Sequence, residues 1–590
     1  APIQGKFSHF ITASGDKLMD GDKEFRFISF NVPTLNIHED ELEFTRSNSY
    51  ALPDEYELRD VFETVRQLGG HAVRLRAIPM RRKDQGTEVP SAVEAPGKFS
   101  EESFKVLDLI LALANEYQVR VIIPIVDQHQ TFGGRAQYAE FRGKPADDFW
   151  TDPVLIDDFK ATIRFLLNRR NTVSGVVYKD DKAILCWETG NELKCPPSWT
   201  TAICSTIKSI DKNHLTMDGA CAIDDTTPLP ESSLTDPSVD ILSSHHHNGN
   251  PTVFSKDVQR NLGIIDKRKP YIVSQLGTIP AASMETCLKE VVASRISGTL
   301  ILGLSGHRSK GGFYWHSEYD SNTKACHWPG FDTGAGYDEK NLLSVIRRKA
   351  FEIRGEPLLA IPVPRVPVML PVEDVANISW KGSAGASSYE VFRSEAAIGP
   401  WTMVGYDVDD SAVQYHSLFN DNTAQLGKSY YYHVVAKNSA GRSKPSRVVG
   451  PVSAQALALI DDMNDFGKLL HASEGVSIDK SSDRDFREDL SRAKGSPLSE
   501  IVYCVPGKLT KIKVFSFGRN ETANLELKIS QDSVNYTPLS AAPSINRAEK
   551  QTDNTWYPIL YELKVPEQAS FLKILFCEES EIGRVELHYQ

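Results

Sequence analysis

Cysteine is scarce in this sequence. The chain has 590 residues and only 8 cysteines, and none of them form a CxxC pair. This spacing excludes thioredoxin-like redox motifs and cysteine-based zinc modules. Cys186 lies in a short apolar run, and we predict a free thiol in the core. The sequence leaves open whether Cys195 and Cys204 form a disulfide.

Long apolar runs and an excess of positive charge are also missing. No stretch reaches the ~18 apolar residues that a membrane-spanning helix needs, and the nearest one, 107–126, is interrupted by Asn115, Glu116 and Arg120. The net charge of −12 argues against a nucleic-acid surface and suits a neutral ligand such as a sugar. The sequence names no protein partner.

We recognise no signal-peptide pattern in the first residues of this sequence. The chain starts abruptly at Ala1-Pro2, which is compatible with a processed mature N-terminus or with a trimmed sequence. We expect a secreted, cell-surface or periplasmic protein.

Strand-like and helix-like segments alternate through residues 1–358. A helix is predicted over Asp54–Leu68, and Asp152-Pro153 is a typical helix start, with Asp as N-cap and Pro at the first position. Eight strands alternating with helices predict a (β/α)8, or TIM, barrel of the α/β class. The predicted strands are Phe25–Phe30, Ala72–Ile78, Val119–Val126, Ala183–Trp187, Leu215–Asp218, Ile241–Ser244, Tyr271–Gln275 and Thr299–Leu304.

Two further domains, both all-β sandwiches, are predicted after a proline-rich linker. Residues 359–455 change to a period of two and resemble a fibronectin type III module, in which Trp380, Tyr389 and the run Tyr430–Val435 are expected to be core. Residues 456–590 resemble galactose-binding or discoidin-like jelly rolls, and the sequence does not name their ligand.

An amide and a carboxylate follow the fourth predicted strand. The segment Trp187-Glu-Thr-Gly-Asn-Glu places Asn191 and Glu192 where a buried strand emerges. Partial burial is expected to raise the pKa of such a carboxyl group towards neutral, which suits a general acid. The pattern resembles the acid/base strand of retaining glycoside hydrolases, most closely the mannanase-like members of glycoside hydrolase family 5. The alternative is an Asn-Glu that only caps the next segment.

The resemblance assigns roles to several residues and implies an oligo- or polysaccharide ligand without a cofactor. In the family, the amide at Asn191 bonds the sugar 2-hydroxyl, and the acid at Glu192 protonates the leaving oxygen and then activates water. Arg74 matches the arginine that orients the nucleophile, although a structural ion pair is the alternative. His129, in the loop after strand three, either bonds a sugar hydroxyl or is a plain loop residue.

Three consecutive histidines, His245 to His247, end strand six. His245 matches the family's His-x-Tyr motif, and His247 stands in place of the tyrosine. Because consecutive strand residues face opposite sides, only His245 and His247 can share a site. No nearby carboxylate pair completes a zinc set, so we expect no metal.

Strand seven departs from the family. The nucleophile of a retaining enzyme is a carboxylate about 5–5.5 Å from the acid, but Gln275 occupies the matching position. This glutamine is either an engineered knock-out or a natural divergence. His247 and the missing tryptophan at the end of strand eight favour divergence, because several departures within one site are expected of an altered function.

The loop after strand eight is rich in groups that bind sugars. Tyr314 and Trp315 are candidate stacking platforms, and Glu318 is the candidate substitute carboxylate, with a solvated loop acid as the alternative. Glu188 is expected on the wrong side of its strand. Three functions are therefore open: hydrolysis of mannan-like β-glycans by a retaining mechanism with Glu192 as acid/base, carbohydrate binding without catalysis, and a structural surface protein.

Overall fold

A computed structural model describes twelve stretches of the chain. Trp315 and Glu318 lie outside them, so their predicted roles stay predictions. The described residues are 7–38, 44, 50–86, 89–224, 226–314, 325–331, 338–411, 416–480, 491–540, 542–545, 556–566 and 568–590.

Eight parallel strands form the barrel, as the alternation predicts. Along the sheet they run in the order five, four, three, two, one, eight, seven, six. A parallel bridge between Met217 and Ile241 joins strand five to strand six and closes the ring. In chain order the strands are Phe27–Asn31, Ala72–Arg74, Arg120–Pro124, Ile184–Glu188, Leu215–Met217, Leu242–His246, Tyr271–Gly277 and Gly298–Leu302.

Helices surround the barrel and start where the sequence indicates. Asp54 and Glu57 form a reciprocal capping box at the first helix, and the side chain of Asp152 caps the helix that begins with Pro153. The helices are Glu55–Gln67, Glu101–Tyr117, Arg135–Phe141, Pro153–Asn168, Pro197–Ile210, Ser232–Thr235, Pro251–Ile265, Ala281–Ala293 and Glu339–Glu352, with 3₁₀ turns at Ala146–Trp150 and Tyr178–Asp180.

Short strands complete the barrel region. They are Ile11–Ser14, Lys17–Asp20, Lys23–Glu24, Val93–Ala95, Lys98–Phe99, Ala222–Ile223, Leu304–Ser305 and Cys326–His327. Among the described helices, none has the length and apolar content to cross a membrane. All eight cysteines are free thiols, so Cys195 and Cys204 are not bridged.

The region that follows the linker is all β, with one five-stranded and one two-stranded antiparallel sheet. Trp380, Tyr389, Tyr430 and Tyr432 are buried in its core, as predicted for these aromatics. Its strands are Val368–Met369, Trp380–Lys381, Ser388–Ser394, Thr402–Val408, Ser429–Asn438, Gly441–Arg442 and Val449–Ser453.

The last region contains a seven-stranded and a five-stranded antiparallel sheet with one apolar core between them. The limits drawn at 358 and 455 stay predictions. The strands are Leu457–Asp461, His471–Ala472, Val476–Asp479, Arg492–Gly495, Glu500–Cys504, Leu509–Gly518, Leu525–Ser530, Thr537–Pro538, Ser544–Ile545, Tyr557–Lys564, Phe571–Phe576 and Ser580–Tyr589.

Among the contacts between the barrel and the β regions, two involve residues that follow strands eight and one. His307, in the loop after strand eight, places Nδ1 2.8 Å from Oδ2 of Asp60 and Nε2 3.0 Å from Oδ2 of Asp410, which belongs to the first β region. Phe44, in the loop after strand one, packs edge-on against Phe515 and Phe517 of the last region. Both contacts involve loops at the mouth of the barrel.

Candidate functional site

A polar cleft of about 500 Å³ opens at the C-terminal ends of the barrel strands, where barrels of this kind carry their chemistry. Most of the residues that the sequence nominated meet here, although they come from five strands and the turns after them. Those lining the cleft are Arg74, His129, Asn191, Glu192, His247 and Gln275.

The turn after strand four projects two of these side chains into the cleft. A Cβ atom on Gly190 would lie 2.3 Å from the carbonyl oxygen of Val126, so the close approach requires glycine. Glu192 then adopts a left-handed φ of 54°. Such a conformation is uncommon for a residue other than glycine and is concentrated at functional sites.

Arg74 organises the floor of the site. Its Nε and Nη2 donate to the two carboxylate oxygens of Glu188 at 2.7 and 2.8 Å, and both side chains are buried. Nη2 also donates to Oδ1 of Asn191 at 3.0 Å. Arg74 therefore forms the buried ion pair that the sequence left open, and it also orients the amide. Glu188 is held by this pair and does not line the cleft.

Three histidines surround the carboxylate of Glu192. His129 Nε2 lies 2.8 Å from Oε2, and His245 Nδ1 lies 2.7 Å from Oε1. His247 Nε2 approaches Oε1 to 3.7 Å. His245 and His247 thus do share one site, as the strand period predicts. His129 joins them from the loop after strand three.

This environment lowers the pKa of Glu192, so the expectation of a raised pKa was wrong. Burial alone would raise it, but the hydrogen bonds from His129 and His245, together with the nearby imidazole of His247, outweigh burial and hold the pKa well below its ordinary value. The bond to Glu192 raises the pKa of His129. Burial lowers the pKa of His245 to about 4, which makes it a neutral donor at pH 7. A carboxylate held ionised in this way is a poor proton donor.

We expect Glu192 to stay ionised below the ordinary carboxyl pKa of 4.5. Because its folded-state pKa is depressed, the stability it contributes is present above 4.5 and is lost only as the pH falls below that value. The measurement is the infrared difference spectrum between the chain and its Glu192→Gln variant during acid titration, with the exposed Glu102→Gln as the comparison. A protonated-carboxyl band of Glu192 that appears at or above pH 4.5 would contradict the prediction.

Gln275 faces the same amide from strand seven. Its Nε2 donates to Oδ1 of Asn191 at 3.3 Å. Asn191 in turn donates from Nδ2 to Oδ1 of Asp127 at 3.1 Å. Among the described residues that line the cleft, the carboxylates are Asp127 and Glu192.

Asp127 was not among the nominated site residues. Burial raises its pKa, although hydrogen bonds from the backbone of His129 and from Asn191 oppose the shift. Its position immediately after strand three was the signal that could have identified it, because the end of a barrel strand is where site residues lie.

The structure corrects the expected role of Tyr314 and shows which residue stands at the end of strand eight. Tyr314 does not line the cleft: it is buried, and its hydroxyl lies 3.0 Å from Nε2 of His38 and donates to Oε1 of Glu57 at 2.9 Å. Its position therefore does not support a sugar-stacking role. At the end of strand eight, where the family has a tryptophan, the aliphatic Leu302 borders the cleft.

Two groups of described side chains have donor atoms within 4.8 Å of one another, as metal binding would require. The first is Glu192, His245 and His247, and the second is Asp224, His246 and Asp257. We expected no carboxylate pair beside His245 and His247, and in the first group Glu192 is the single carboxylate; the pair of Asp224 and Asp257 lies instead beside His246. In the first group, however, the oxygens of Glu192 already accept hydrogen bonds from imidazoles.

The fold is a (β/α)8 barrel with a cleft at the C-terminal ends of its strands. Residues 48–282 match the family model described as GH family 5 beta-mannosidase-like, so this part of the chain is similar to that family. Mannan endo-1,4-beta-mannosidase 1 of Oryza sativa subsp. japonica and mannan endo-1,4-beta-mannosidase 7 of Arabidopsis thaliana are each 40% identical to it over 135 residues. These matches cover 20% of this chain, which spans about a third (31%) of the length of each relative.

Solved structures align with the chain at low identity. The endo-1,4-beta-D-mannanase from Thermotoga petrophila RKU-1 is 22% identical, with a TM-score of 0.45, over 55% of this chain and 99% of its own. An endogalactoceramidase is 11% identical, with a TM-score of 0.40, over 96% of this chain and 100% of its own.

Proposed function

We propose that the chain binds a mannan-like, β-linked oligo- or polysaccharide in the cleft and does not hydrolyse it. The observation that carries this proposal is Gln275. Its neutral amide stands where the family nucleophile would be, hydrogen-bonded to Asn191. An amide does not form the glycosyl-enzyme ester of a retaining mechanism.

The state of Glu192 supports the same conclusion. Retaining hydrolysis needs an acid that is protonated near neutral pH opposite an ionised nucleophile. Here the histidines keep the pKa of Glu192 low, so the residue that would donate the proton is ionised. The site thus lacks both the nucleophile and the proton donor of a retaining mechanism. It keeps the groups that can hydrogen-bond to a sugar.

The cleft retains the groups that would recognise sugar hydroxyls. Asn191 is held by Arg74, and His129 and His247 stand at the rim beside the ionised Glu192. Charged and imidazole groups make strong hydrogen bonds to hydroxyls. The mannan specificity is inferred from the relatives that are named mannan endo-1,4-beta-mannosidases.

Hydrolysis of the same glycans is the second candidate, and one observation favours it. Burial raises the pKa of Asp127, while the histidines lower that of Glu192. Carboxyl groups whose pKa values are driven apart in one cleft are the usual acid/base pair of a glycosidase. In that case Asp127 would be the acid and Glu192 the base.

The test compares the chain with Gln275→Glu and with the near-isosteric control Gln275→Met. The unaltered chain should bind manno-oligosaccharides saturably, measured by calorimetry, and release no reducing sugar. Gln275→Glu should cleave aryl β-glycosides, whose good leaving groups need little acid assistance, before it cleaves mannan. Gln275→Met should cleave neither aryl β-glycosides nor mannan.

Three outcomes would overturn the proposal. Turnover of mannan by the unaltered chain, abolished by Asp127→Asn and by Glu192→Gln, would establish the second candidate. No activity in Gln275→Glu together with no sugar binding in any variant would leave a structural protein on a barrel scaffold. Binding of unrelated polysaccharides with equal affinity would reject the mannan assignment.

The β regions and the location of the protein are further parts of the proposal. We propose that residues 359–455 are a fibronectin type III-like spacer and that 456–590 are a galactose-binding-like module, so both extend a carbohydrate-binding surface. An extracytoplasmic location would suit a polysaccharide ligand. The eight free thiols do not add support for that location, since disulfides are typical of secreted proteins.

A further inference from the structure

We propose that Asp224, His246 and Asp257 form a structural zinc site behind the sugar cleft. Asp224 follows the short strand Ala222–Ile223, His246 ends barrel strand six, and Asp257 lies in the helix that follows. Their donor atoms lie within 4.8 Å of one another. None of the three lines the cleft.

Buried atoms without partners are the first evidence. His246 is 3% exposed and Asp257 is 1% exposed, yet Nδ1 of His246 and Oδ2 of Asp257 have no hydrogen-bond partner among the described residues. Leaving such a group unsatisfied costs about 1–3 kcal/mol, and more when it is charged. Orphan atoms of this kind in a folded protein point to a missing ion or water. A cation bound to both would satisfy them together.

A distance gives the second argument. Nδ1 of His246 lies 3.5 Å from Oδ1 of Asp224. This is too long for a good hydrogen bond, but it is close to the edge, about 3.3 Å, of a tetrahedron whose donors are about 2.0–2.1 Å from zinc. The contacts from His129 and His245 to Glu192, at 2.8 and 2.7 Å, have instead the length of hydrogen bonds.

The second ring nitrogen of His246 is already fixed. Nε2 lies 2.8 Å from Oγ of Ser244, which contacts the hydroxyl of Tyr271. Tyr271 in turn accepts from Nδ2 of Asn261 at 3.0 Å. An imidazole that binds a metal through one nitrogen commonly has the other held by such a partner, which sets the tautomer. The contact with Ser244 therefore holds the ring in the orientation in which Nδ1 faces Asp224, 3.5 Å away.

The local charge and the space beside these side chains also suit a bound zinc ion. Among the described residues, Arg260 pairs with Oδ1 of Asp257 at 3.0 Å and is 38% exposed, so the two carboxylates are only partly neutralised by protein side chains. A cavity of about 10 Å³ beside Asp224 and His246 is on the scale of one water-sized sphere, which a fourth ligand requires. The imidazole selects zinc over Ca²⁺ and Mg²⁺, which prefer oxygen ligands alone.

The role of the metal follows from one more contact. The backbone N–H of His247 donates to Oδ2 of Asp224 at 3.2 Å. Zinc at this place would tie the end of strand six to the next helix and so fix the backbone that presents His245 and His247 to the cleft. This assignment does not depend on whether the sugar is hydrolysed.

The experiment uses the full chain after chelation, titrated with Zn²⁺ and followed by calorimetry, metal content and thermal unfolding. One zinc should bind per chain and raise the Tm, and Ca²⁺ should not replace it. Asp224→Asn and His246→Gln should lose the bound zinc. Ser244→Ala should weaken binding by about 10-fold, the usual effect of removing an outer partner. The cleft variants Glu192→Gln and His247→Tyr should keep the zinc.

Cobalt gives a readout that does not depend on stability. Co²⁺ in the unaltered chain should show the intense visible bands of a tetrahedral site, and Asp224→Asn, whose side chain is only partly buried, should lose them even if His246→Gln does not fold. The proposal fails if the chain takes up no zinc, if Ca²⁺ binds equally well, or if zinc is lost in Glu192→Gln but kept in Asp224→Asn.

Discussion

Replacing Arg74 with methionine is expected to lower the free energy of unfolding of the barrel by about 3–5 kcal/mol, because it leaves the buried carboxylate of Glu188 without its partner. The two side chains share bonds of 2.7 and 2.8 Å and are 4% and 1% exposed. The same change removes the shorter of the two hydrogen bonds to Oδ1 of Asn191 and leaves only the bond from Gln275, so the proposed sugar binding should weaken as well. Urea unfolding followed by tryptophan fluorescence measures the first effect, and calorimetry with manno-oligosaccharides measures the second.

The pH dependence of the stability lost in Arg74→Met tests whether the unpaired carboxylate of Glu188 is its cause. Burial already raises the pKa of Glu188, and the loss of Arg74 removes the charge that opposes the shift. A carboxyl group with a raised folded-state pKa binds its proton more tightly in the folded chain, so the deficit of Arg74→Met should be largest at neutral pH and shrink as the pH falls towards 4.5.

A double variant is the matched control for Arg74→Met. Arg74→Met with Glu188→Leu removes both charges and should recover most of the stability, because a buried ion pair can be replaced by apolar groups at little cost. Sugar binding should not recover, since Asn191 still lacks the hydrogen bond from Arg74. If the double variant is as unstable as Arg74→Met, the loss comes from packing, and the buried charge is not its cause.

Replacing His307 with glutamine is expected to cost about 3–5 kcal/mol at pH 7, since it strands two buried carboxylates at the junction between the barrel and the first β region. Burial alone would lower the pKa of His307, but Asp60 and Asp410 outweigh it and raise the pKa to about 10. The imidazolium therefore joins the two regions as a cation. Thermal unfolding of the chain and of the variant measures the difference.

The stability that His307 contributes changes with pH in the opposite direction to the stability that Glu192 contributes. A histidine whose folded-state pKa is raised contributes stability that is fully present below 6.5 and is lost as the pH rises through about 10. The difference between the chain and His307→Gln should therefore disappear over this range. His307→Gln with Asp410→Asn should recover part of the loss at pH 7. A difference that does not change with pH would contradict a charged junction.

The barrel could be predicted because its signals are local. The apolar run before Glu192 and the cap formed by Asp152 and Pro153 are readable within a few residues, and the structure has both in place. The position of Gln275 was also readable, since it follows from a short motif on one strand. The placement of strand ends around a barrel then brought the nominated side chains into one cleft.

Other features depend on contacts between residues far apart in sequence. His129 and His245 are 63 and 53 residues from Glu192, and together they reverse the direction of its pKa shift. Glu188 meets Arg74 across 114 residues. Tyr314 follows the same rule, because its burial against His38 is decided by loop packing, which the composition of its segment does not reveal.

The contacts of Phe44 and His307 have a consequence for how the parts of the chain depend on one another. Strands one and eight are neighbours in the barrel, and each is followed by a residue that contacts a different β region. Loss of either β region would therefore remove a contact from the residues that follow these two neighbouring strands.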